Sequence, residues 1–496
     1  MLYRVLTSRA ASRRFELMSC CRTWALHCRR ITSQSDVHIA SAIGSQSEGL
    51  GSLNCQQVVF LLDEVSRAGL RDPDLWGRYA SRALTEVSTC SVDELCSIVR
   101  ALCRADFSKR SLLNAVCRRL RVEAHKLSPR SLAQVVSDLR KLNHLDGPLL
   151  SLLVGSRILV MSHFRTFDLP LVLCAFAQVS FRDEVQIHRL GQELCSRSGE
   201  LTPSVITATF YSLALLDCGK DGIAAHLLCN SIPRVIGDAS SRELVNLAFA
   251  IVILDLHAAE ILSYILEQLA RQSAMIGSRE VHALHIIKCC VTSPEAFRPE
   301  MRASFLADPT SVSRCTDALQ HIAGVIQDVP VNYAVSGSKL QKRLGRFLDR
   351  LSLPHRAEAM IGPYVLDYML PLKIAIEVDG FKHFYSFSRR LTAKSKLKLR
   401  VLKALGWHVV SLPHFEWLPK TQDERLAYLA CQIEDVSGKP LAEIRRGGGS
   451  SSCSSSSSGA CSSRIGELVS RTRRLRPLPF SSGLPARGTF ASGVRR

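Results

Sequence analysis

The chain has 496 residues, of which 46% are hydrophobic, and its formal net charge at pH 7 is +20. This length allows two or more structured regions. No stretch approaches the roughly 20 consecutive apolar residues that a membrane-spanning helix needs, so we expect no membrane span.

The first 30 residues have the composition of an organellar targeting sequence. They contain seven arginines, no lysine and a single acid, Glu16, and they lack the continuous apolar segment of a secretory signal. A positively charged amphipathic helix is suited to import driven by the mitochondrial membrane potential. We therefore predict a mitochondrial transit peptide over residues 1–30, a linker over residues 31–50 and localisation in the mitochondrial matrix. The alternative is a basic, disordered leader without a targeting role.

Apolar residues recur in one helical register after this linker. The anchors of the register are spaced by 37 or 38 residues: Val58, Leu95, Leu132, Leu169, Ile206, Leu244 and Val281. After most anchors, apolar residues follow three, four and seven positions later, which is the pattern of one buried helix face. A second helical stretch follows in each period. In three periods an aspartate lies 14 residues after the anchor, where it fits the turn or caps the second helix: Asp72, Asp146 and Asp183.

A unit of two helices cannot bury its apolar face alone, so neighbouring units must stack. We predict a mostly α fold, with an α-solenoid of about seven 37-residue helix-pair repeats over residues 51–300 and a helical connector over residues 301–337. The seventh repeat has a weaker pattern and is the expected capping repeat. An irregular helical bundle with accidental spacing is the alternative. A stacked array presents an extended surface that suits long, thin partners.

The 18 cysteines do not form a recognisable metal or disulfide pattern. There is no CxxC motif, and several cysteines fall among apolar residues of the helical segments, including Cys96, Cys117 and Cys218. A free thiol in such a position behaves as a small hydrophobe. We therefore predict free thiols and a reducing compartment instead of disulfides or zinc.

Positive charge is concentrated in the carboxyl-terminal third. Residues 338–434 hold seventeen Lys/Arg and nine Asp/Glu, and residues 437–496 hold eleven and two, whereas residues 31–337 sum to −2. Because neutralisation of phosphates by Lys and Arg provides most sequence-independent affinity for nucleic acids, we expect polyanions to bind in this third. Residues 437–496 are rich in Ser, Gly and Arg, which predicts a disordered tail.

The pattern changes near residue 338 from helical repeats to a compact α/β unit. A short amphipathic helix precedes two alternating apolar runs, residues 364–373 and 374–384, which predict paired β-strands. A helix over 391–405, a third strand over 407–412 and a last helix near 423–433 follow. The alternation places Asp367 on the first strand, and it places Glu377 and Asp379 on one face of the second.

These residues resemble the RAP domain, the RNA-binding domain abundant in apicomplexans. The resemblance runs through LDYMLP, IAIEVDG, KLKLR, LGW, VVSLP and FEW in order, within residues 338–436. Helical repeats ahead of such a domain are similar to those of heptatricopeptide-repeat and octotricopeptide-repeat proteins and of the Fas-activated-kinase-like group. The resemblance implies organellar RNA binding and a small α/β domain of restriction-endonuclease-like outline.

The resemblance to restriction-endonuclease-like folds also implies where a catalytic metal site would lie. In restriction-endonuclease-like folds, a strand aspartate and a Glu-x-Lys pair hold a divalent metal, and the resemblance puts Asp367, Glu377 and Asp379 in the matching places. It therefore implies a Mg²⁺ site and catalysis by these three acids. His383, four residues after Asp379, is the candidate general base. Asp379 departs from the pattern because it stands where a lysine is usual.

Two lysines close in sequence, Lys373 and Lys382, are candidates to replace that missing cation. The alternative is structural: the acids order the turn at Gly380, and His383 is a hydrogen-bond partner of Asp379.

Candidate RNA-binding residues lie in the loop after the second strand and on the helix that follows. Phe381 and Lys382 stand where family members usually have Pro-Ser, so the loop is more cationic and carries an additional ring. The predicted phosphate contacts are Lys382, Lys394, Lys396, Lys398, Arg400 and Lys403. A solvated helix surface is the alternative interpretation of this cluster.

The leading hypothesis is a mitochondrial RNA-binding protein in organellar RNA metabolism, acting in rRNA or transcript processing, in RNA stability or in ribosome assembly. The solenoid would bind single-stranded RNA, and the RAP domain would grip its backbone. Candidates for base contacts are polar residues of the first helix of each repeat: Gln134, Gln178, Thr209 and Asn246. One alternative is a metal-dependent endoribonuclease that uses the acidic cluster. Another is a protein-binding scaffold in a mitochondrial RNA-processing or ribosomal complex. No cofactor is expected unless the protein is a nuclease.

Overall fold

The computed structural model describes residues 50–155, 163–219, 222–256, 258–326 and 339–446. The predicted transit peptide, nearly all of the 31–50 linker and most of the predicted tail lie outside these residues. Within them, no helix is both long and apolar enough to cross a membrane. The chain divides into two compact units. The helical unit comprises the described residues within Met1–Ile276, Ala303–Gln327 and Phe384–Lys394, and the sheet unit comprises those within Gly277–Arg302, Asp328–His383 and Ser395–Arg496.

The fold is mostly helical with one small sheet, as the sequence predicts. Up to residue 271 the helices are α1 Cys55–Arg67, α2 Pro73–Glu86, α3 Val92–Ala105, α4 Arg110–Glu123, α5 Pro129–Lys141, α6 Gly147–Gly155, α7 Asp168–Gln178, α8 Glu184–Ser196, α9 Pro203–Leu215, α10 Ile223–Asn230, α11 Ile232–Val235, α12 Ser241–Leu254 and α13 Ala259–Arg271. The remaining helices are α14 Ser278–Thr292, α15 Pro299–Ala307, α16 Pro309–Ile326, α17 Lys339–Arg350, α18 Ala393–Ala404, α19 His414–Trp417, α20 Gln422–Ser437 and α21 Leu441–Arg446.

Successive helix pairs of the helical unit pack side by side. The first helices contact their neighbours in the order α1, α3, α5, α7, α9, α12, and the second helices contact theirs in the order α2, α4, α6, α8, α10. Every anchor of the 37-residue register is buried, and Leu95, Leu132 and Leu169 have no exposed surface. This packing is what the period requires, because each pair covers the apolar face of the next. The solenoid arrangement itself stays a prediction.

The aspartates predicted at the turns cap the second helices. The side chain of Asp72 accepts hydrogen bonds from the first turn of α2, and Asp183 does the same for α8. Asp146 Oδ1 accepts the Leu149 N–H at a distance of 2.7 Å. These side chains bind backbone N–H groups that would otherwise have no partner at a helix start.

The last part of the predicted repeat array belongs to the other unit. Val281 lies in α14, which is part of the sheet unit, and α13 packs instead against α16. The seventh repeat, whose apolar pattern is weak, is therefore part of the sheet unit and not of the helical unit.

One disulfide contradicts the prediction that the cysteines are all free. Cys55 and Cys90 are bonded, with a Cα–Cα distance of 5.8 Å. Cys55 begins α1 and Cys90 precedes α3, so the packing of α1 on α3 brings together two thiols 35 residues apart. Cys96 and Cys117 are free and buried, and burial raises the pKa of each thiol to about 12.

The sheet unit contains a four-stranded mixed sheet in the order β1 Arg356–Ile361, β2 Tyr364–Leu370, β3 Ile374–Asp379 and β4 His408–Pro413. The first three strands are antiparallel, and β4 runs parallel to β3 after the crossover through α18. Strands β2, β3 and β4 confirm the predicted strands. The sequence analysis missed β1, in which only Ala359 is buried, because an exposed edge strand lacks the apolar alternation of its neighbours.

The core of the sheet unit forms where the helices cover the sheet. It includes Leu348 of α17, Ile374 of β3, Val410 of the edge strand β4, and Leu429 of α20. Trp417 is 3% exposed and packs edge-on to Phe347, at a distance of 5.3 Å between ring centroids.

Candidate functional site

Three carboxylates of the sheet unit lie on the adjacent strands β2 and β3. Asp367 is in the middle of β2, and its Oδ2 accepts the N–H of Val378 from β3 at 2.7 Å. Glu377 and Asp379 lie two residues apart on β3 and are 2% and 3% exposed. The strand pairing that the sequence predicts therefore does bring the three acids into one region of the sheet.

Glu377 forms an ion pair with a lysine from the crossover helix. Lys398 Nζ of α18 lies 2.5 Å from Glu377 Oε2, and it also donates to the carbonyl oxygen of Val365 at 2.9 Å. The other carboxylate oxygen, Glu377 Oε1, is buried and has no hydrogen-bond partner among the described residues. Burial raises the pKa of Glu377 to about 7, although the nearby Lys398 ammonium lowers it.

Lys398 is therefore the cation that the structure brings to Glu377. The sequence pointed to Lys373 and Lys382 as replacements for the missing strand lysine and to Lys398 as an RNA contact, whereas Lys398 points toward the buried acid. A signal was present in the sequence: Lys398 flanks the apolar side of its helix, next to the buried Leu397. A lysine at the border of a buried helix face is well placed to reach a buried acid.

Asp379 is held by a histidine and a serine. His383 Nδ1 lies 3.1 Å from Asp379 Oδ1, and the hydroxyl of Ser411 on β4 donates to Asp379 Oδ2. The hydrogen bond to Asp379 raises the pKa of His383. The pairing of His383 with Asp379 matches the structural alternative, in which the histidine is a hydrogen-bond partner.

These carboxylates do not fit a resident Mg²⁺ ion. Within the described residues, the oxygens of Asp367, Glu377 and Asp379 do not all come within 4.8 Å of one another. Four of their six oxygens already take hydrogen bonds or ion pairs from protein groups. A hard cation needs several oxygen ligands that converge on one point, so we derive no catalytic step through a metal here.

An exposed aromatic ring follows β3 directly. Residues Phe381–His383 form one turn of 3₁₀-helix, and the side chain of Phe381 is 75% exposed. Its ring centroid lies 3.8 Å from that of His414, which is itself buried and supports the ring from the protein side. Lys382 is exposed and has no hydrogen bond or ion pair within the described part of the chain. The turn thus combines a supported aromatic face with a free ammonium group.

The predicted cationic ridge of α18 is only partly on the surface. Lys394 lies in the helical unit, with its ammonium 5.8 Å from the ring centroid of Tyr211, and Lys398 is paired with Glu377. Lys396 and Arg400 are half-buried. Lys403 is exposed and has no partner among the described residues. Lys382 and Lys403 are therefore exposed and without a partner among the described residues, and Lys394 is exposed as well but lies over the Tyr211 ring.

The segment Phe384–Lys394 lies within the predicted RAP domain and packs in the helical unit. The hydroxyl of the buried Tyr385 donates to the carbonyl oxygen of Leu215 at 2.7 Å, and Ser386 Oγ donates to that of Val179 at 2.8 Å. Arg390 lies 3.2 Å from Asp217 and 3.3 Å from Glu184. No periodicity in the sequence signalled these contacts.

Comparison with known proteins places a recognised domain on this region. Residues 376–431 match the family model of the RAP domain. The mitochondrial FAST kinase domain-containing protein 5 of Mus musculus is 39% identical over 77 residues, which are 14% of this chain and 10% of that protein. The chloroplastic RAP domain-containing protein of Oryza sativa subsp. japonica is 35% identical over 94 residues, 18% of this chain and 15% of that protein. The chain thus matches only a small share of the length of these relatives.

Proposed function

Since the chain carries a RAP domain at residues 376–431, we propose that the protein binds single-stranded RNA and acts in organellar RNA metabolism. The observation that carries this proposal is the exposed Phe381 ring beside the free ammonium of Lys382. Stacking on an aromatic ring is a main way in which proteins hold unpaired bases, and a neighbouring cation binds the phosphate between two such bases.

The organelle is proposed to be the mitochondrion. The leader carries seven arginines and one acid, and the mouse relative is named as mitochondrial. The rice relative is named as chloroplastic, and the arginine content of residues 1–30 supports the mitochondrion over the plastid. The RNA class proposed is mitochondrial rRNA or transcripts, in processing, stability or ribosome assembly.

Equilibrium binding of the full chain tests the proposal. Fluorescence anisotropy at low ionic strength, with labelled single-stranded and double-stranded oligoribonucleotides, should give tighter binding to the single strand. Phe381→Ala should weaken that binding about 5- to 100-fold, the range expected for one lost stacking contact. The matched control is Phe387→Ala, which removes another exposed ring, 81% accessible, outside this turn. Absence of RNA binding at low salt would refute the proposal.

The metal-dependent endoribonuclease has less support, because the three carboxylates do not converge and are largely occupied by protein donors. The same assay separates it from simple binding: an added Mg²⁺ series with end-labelled RNA reports cleavage on a gel. The protein-binding scaffold predicts instead that the purified chain leaves RNA unbound.

A further inference from the structure

A cleft lined by arginines lies among the second helices of the helical unit. Its volume is about 530 Å³, and it is bounded by α4, by Leu84 of α2 and by the turn that leads into α6. Five of its lining residues come from α4: the buried Cys117 and four others, Ser111, Asn114, Arg118 and Arg121, that face solvent. They are spaced by three or four residues, so they share one face of that helix, and all four are exposed.

The arginines at this cleft have few acidic partners. Arg118 makes no ion pair or hydrogen bond with any residue that the structure describes. Arg121 lies 3.5 Å from Asp146, and both side chains are about half exposed, so the pair is weak. Arg110, at the start of α4, is also exposed and without an ion pair within the described ranges. One acid among three arginines leaves the local charge positive.

The neutral polar groups of the cleft are available as well. The side chains of Ser111 and Asn114 have no hydrogen-bond partner among the described residues. His144 lines the opposite wall, and burial together with the nearby Arg110 lowers the pKa of its imidazole. A neutral imidazole, an amide and a hydroxyl can each donate or accept a hydrogen bond, as ribose and base edges require.

The first helix of each pair has fewer polar side chains available to RNA than the sequence predicted. Gln134 Nε2 donates to Asp138 at 2.9 Å, and Gln178 Oε1 accepts a hydrogen bond from Arg140 at 2.6 Å. Thr209 has no exposed surface, so its hydroxyl cannot reach a ligand. The polar residues predicted to contact bases are thus occupied or buried, with only the half-buried Asn246 remaining, whereas those of α4 face solvent.

We propose that this arginine cleft binds the phosphate backbone of the same single-stranded RNA, with Arg118 and Arg121 as the phosphate ligands. The guanidinium group suits this role because its planar fork donates two parallel hydrogen bonds to a phosphate. Asn114 and Ser111 lie along the same helix face and contact the sugar. This inference rests on the proposed function and adds a second contact region, separate in sequence from the RAP domain.

The test is the salt dependence of RNA binding by the full chain. The double variant Arg118→Gln/Arg121→Gln should weaken binding to a single-stranded oligoribonucleotide about 10- to 100-fold, because two charged hydrogen bonds are lost. The slope of log K against log salt should become shallower by about 1.4, at roughly 0.7 for each lost phosphate contact on a single strand. The matched control is Arg189→Gln, which neutralises an exposed arginine of α8 outside the cleft and should change neither quantity.

A second measurement does not depend on the folding of that variant. A photoreactive phenylalanine analogue is placed at the exposed position 114, and the full chain is irradiated with the same RNA and in mitochondrial extract. A crosslink to RNA supports the inference, and crosslinks to protein alone overturn it.

The two proposals fail in different ways. If the unmodified chain binds RNA but the double variant has the same affinity and salt slope, the cleft is not an RNA site and the RAP-domain proposal stands. If the unmodified chain binds no RNA, both proposals are refuted.

Discussion

The ammonium of Lys398 lies 2.5 Å from the Glu377 carboxylate, and this contact joins the crossover helix α18 to the central strand β3. Both side chains are largely removed from water, with 20% and 3% of their surfaces exposed. Removal of one partner of such a pair leaves a buried charge without compensation, which costs far more than the intact pair contributes.

We therefore expect Lys398→Met to lower the free energy of unfolding by about 3 kcal/mol, measured by urea denaturation at pH 8. Lys403→Met is the matched control, because Lys403 is an exposed lysine of the same helix without a described partner. The control should change stability by less than about 0.5 kcal/mol. Equal effects of the two substitutions would show that the pair does not hold α18 on the sheet.

Glu377 should make stability depend on pH. Its pKa in the folded protein is about 7, against 4.5 for an unperturbed glutamate, so the folded state binds the proton more tightly than the unfolded state. The contribution of this group to stability is therefore greatest below pH 4.5 and declines as the pH rises through 7. The charges of Asp367 and Asp379 also raise the pKa of Glu377, and that of Lys398 lowers it.

Comparison with Glu377→Gln isolates this effect from those neighbours. The difference in unfolding free energy between the variant and the unmodified chain should shift by up to about 3 kcal/mol in favour of the variant between pH 4.5 and pH 8. Denaturation curves at closely spaced pH values measure it. A difference that does not vary with pH would place the pKa of Glu377 near its ordinary value.

The Cys55–Cys90 bond should stabilise the start of the helical unit. It closes a loop of 35 residues between α1 and α3, and the loss of such a crosslink typically costs about 3–4 kcal/mol. Cys55→Ser/Cys90→Ser should lower the unfolding free energy by that amount, and dithiothreitol should have the same effect on the unmodified chain. Cys229→Ser changes an exposed free cysteine and serves as the control. If the oxidised and reduced chains have the same stability, the bond contributes nothing to folding.

Tyr385→Phe should loosen the segment Phe384–Lys394. The variant loses the hydrogen bond to the Leu215 carbonyl and the acceptor for the Ala393 N–H, and both groups lie in a buried environment. We expect a loss of about 1–3 kcal/mol and faster amide exchange across the segment, followed by hydrogen–deuterium exchange. Tyr264→Phe, on an exposed ring of α13, is the control. Unchanged exchange rates at 384–394 would contradict the role of the hydroxyl.

The sequence predicted the features that depend on local pattern. The 37-residue register located the helices with their buried anchors, and Asp72 and Asp183 were identified as caps because capping involves only the next few residues. The strands that carry Asp367 and Glu377 were found from alternation.

The features that depend on packing between distant segments were missed. The partner of Lys398 is set by how α18 crosses the sheet, and the bond between Cys55 and Cys90 is set by how α1 meets α3. The cleft around Arg118 arises from three neighbouring helical elements, so no single stretch of sequence contains it. These relationships follow from tertiary packing, which periodicity does not encode.

The chain returns to the helical unit twice after leaving it, at Ala303–Gln327 and at Phe384–Lys394. A truncation at any single peptide bond between residues 277 and 394 therefore leaves at least one unit incomplete. A fragment that begins at residue 339 would expose the rings of Phe384 and Tyr385, which are 5% and 2% accessible in the whole protein. A complete copy of either unit therefore consists of segments that are separated in the chain by stretches of the other unit.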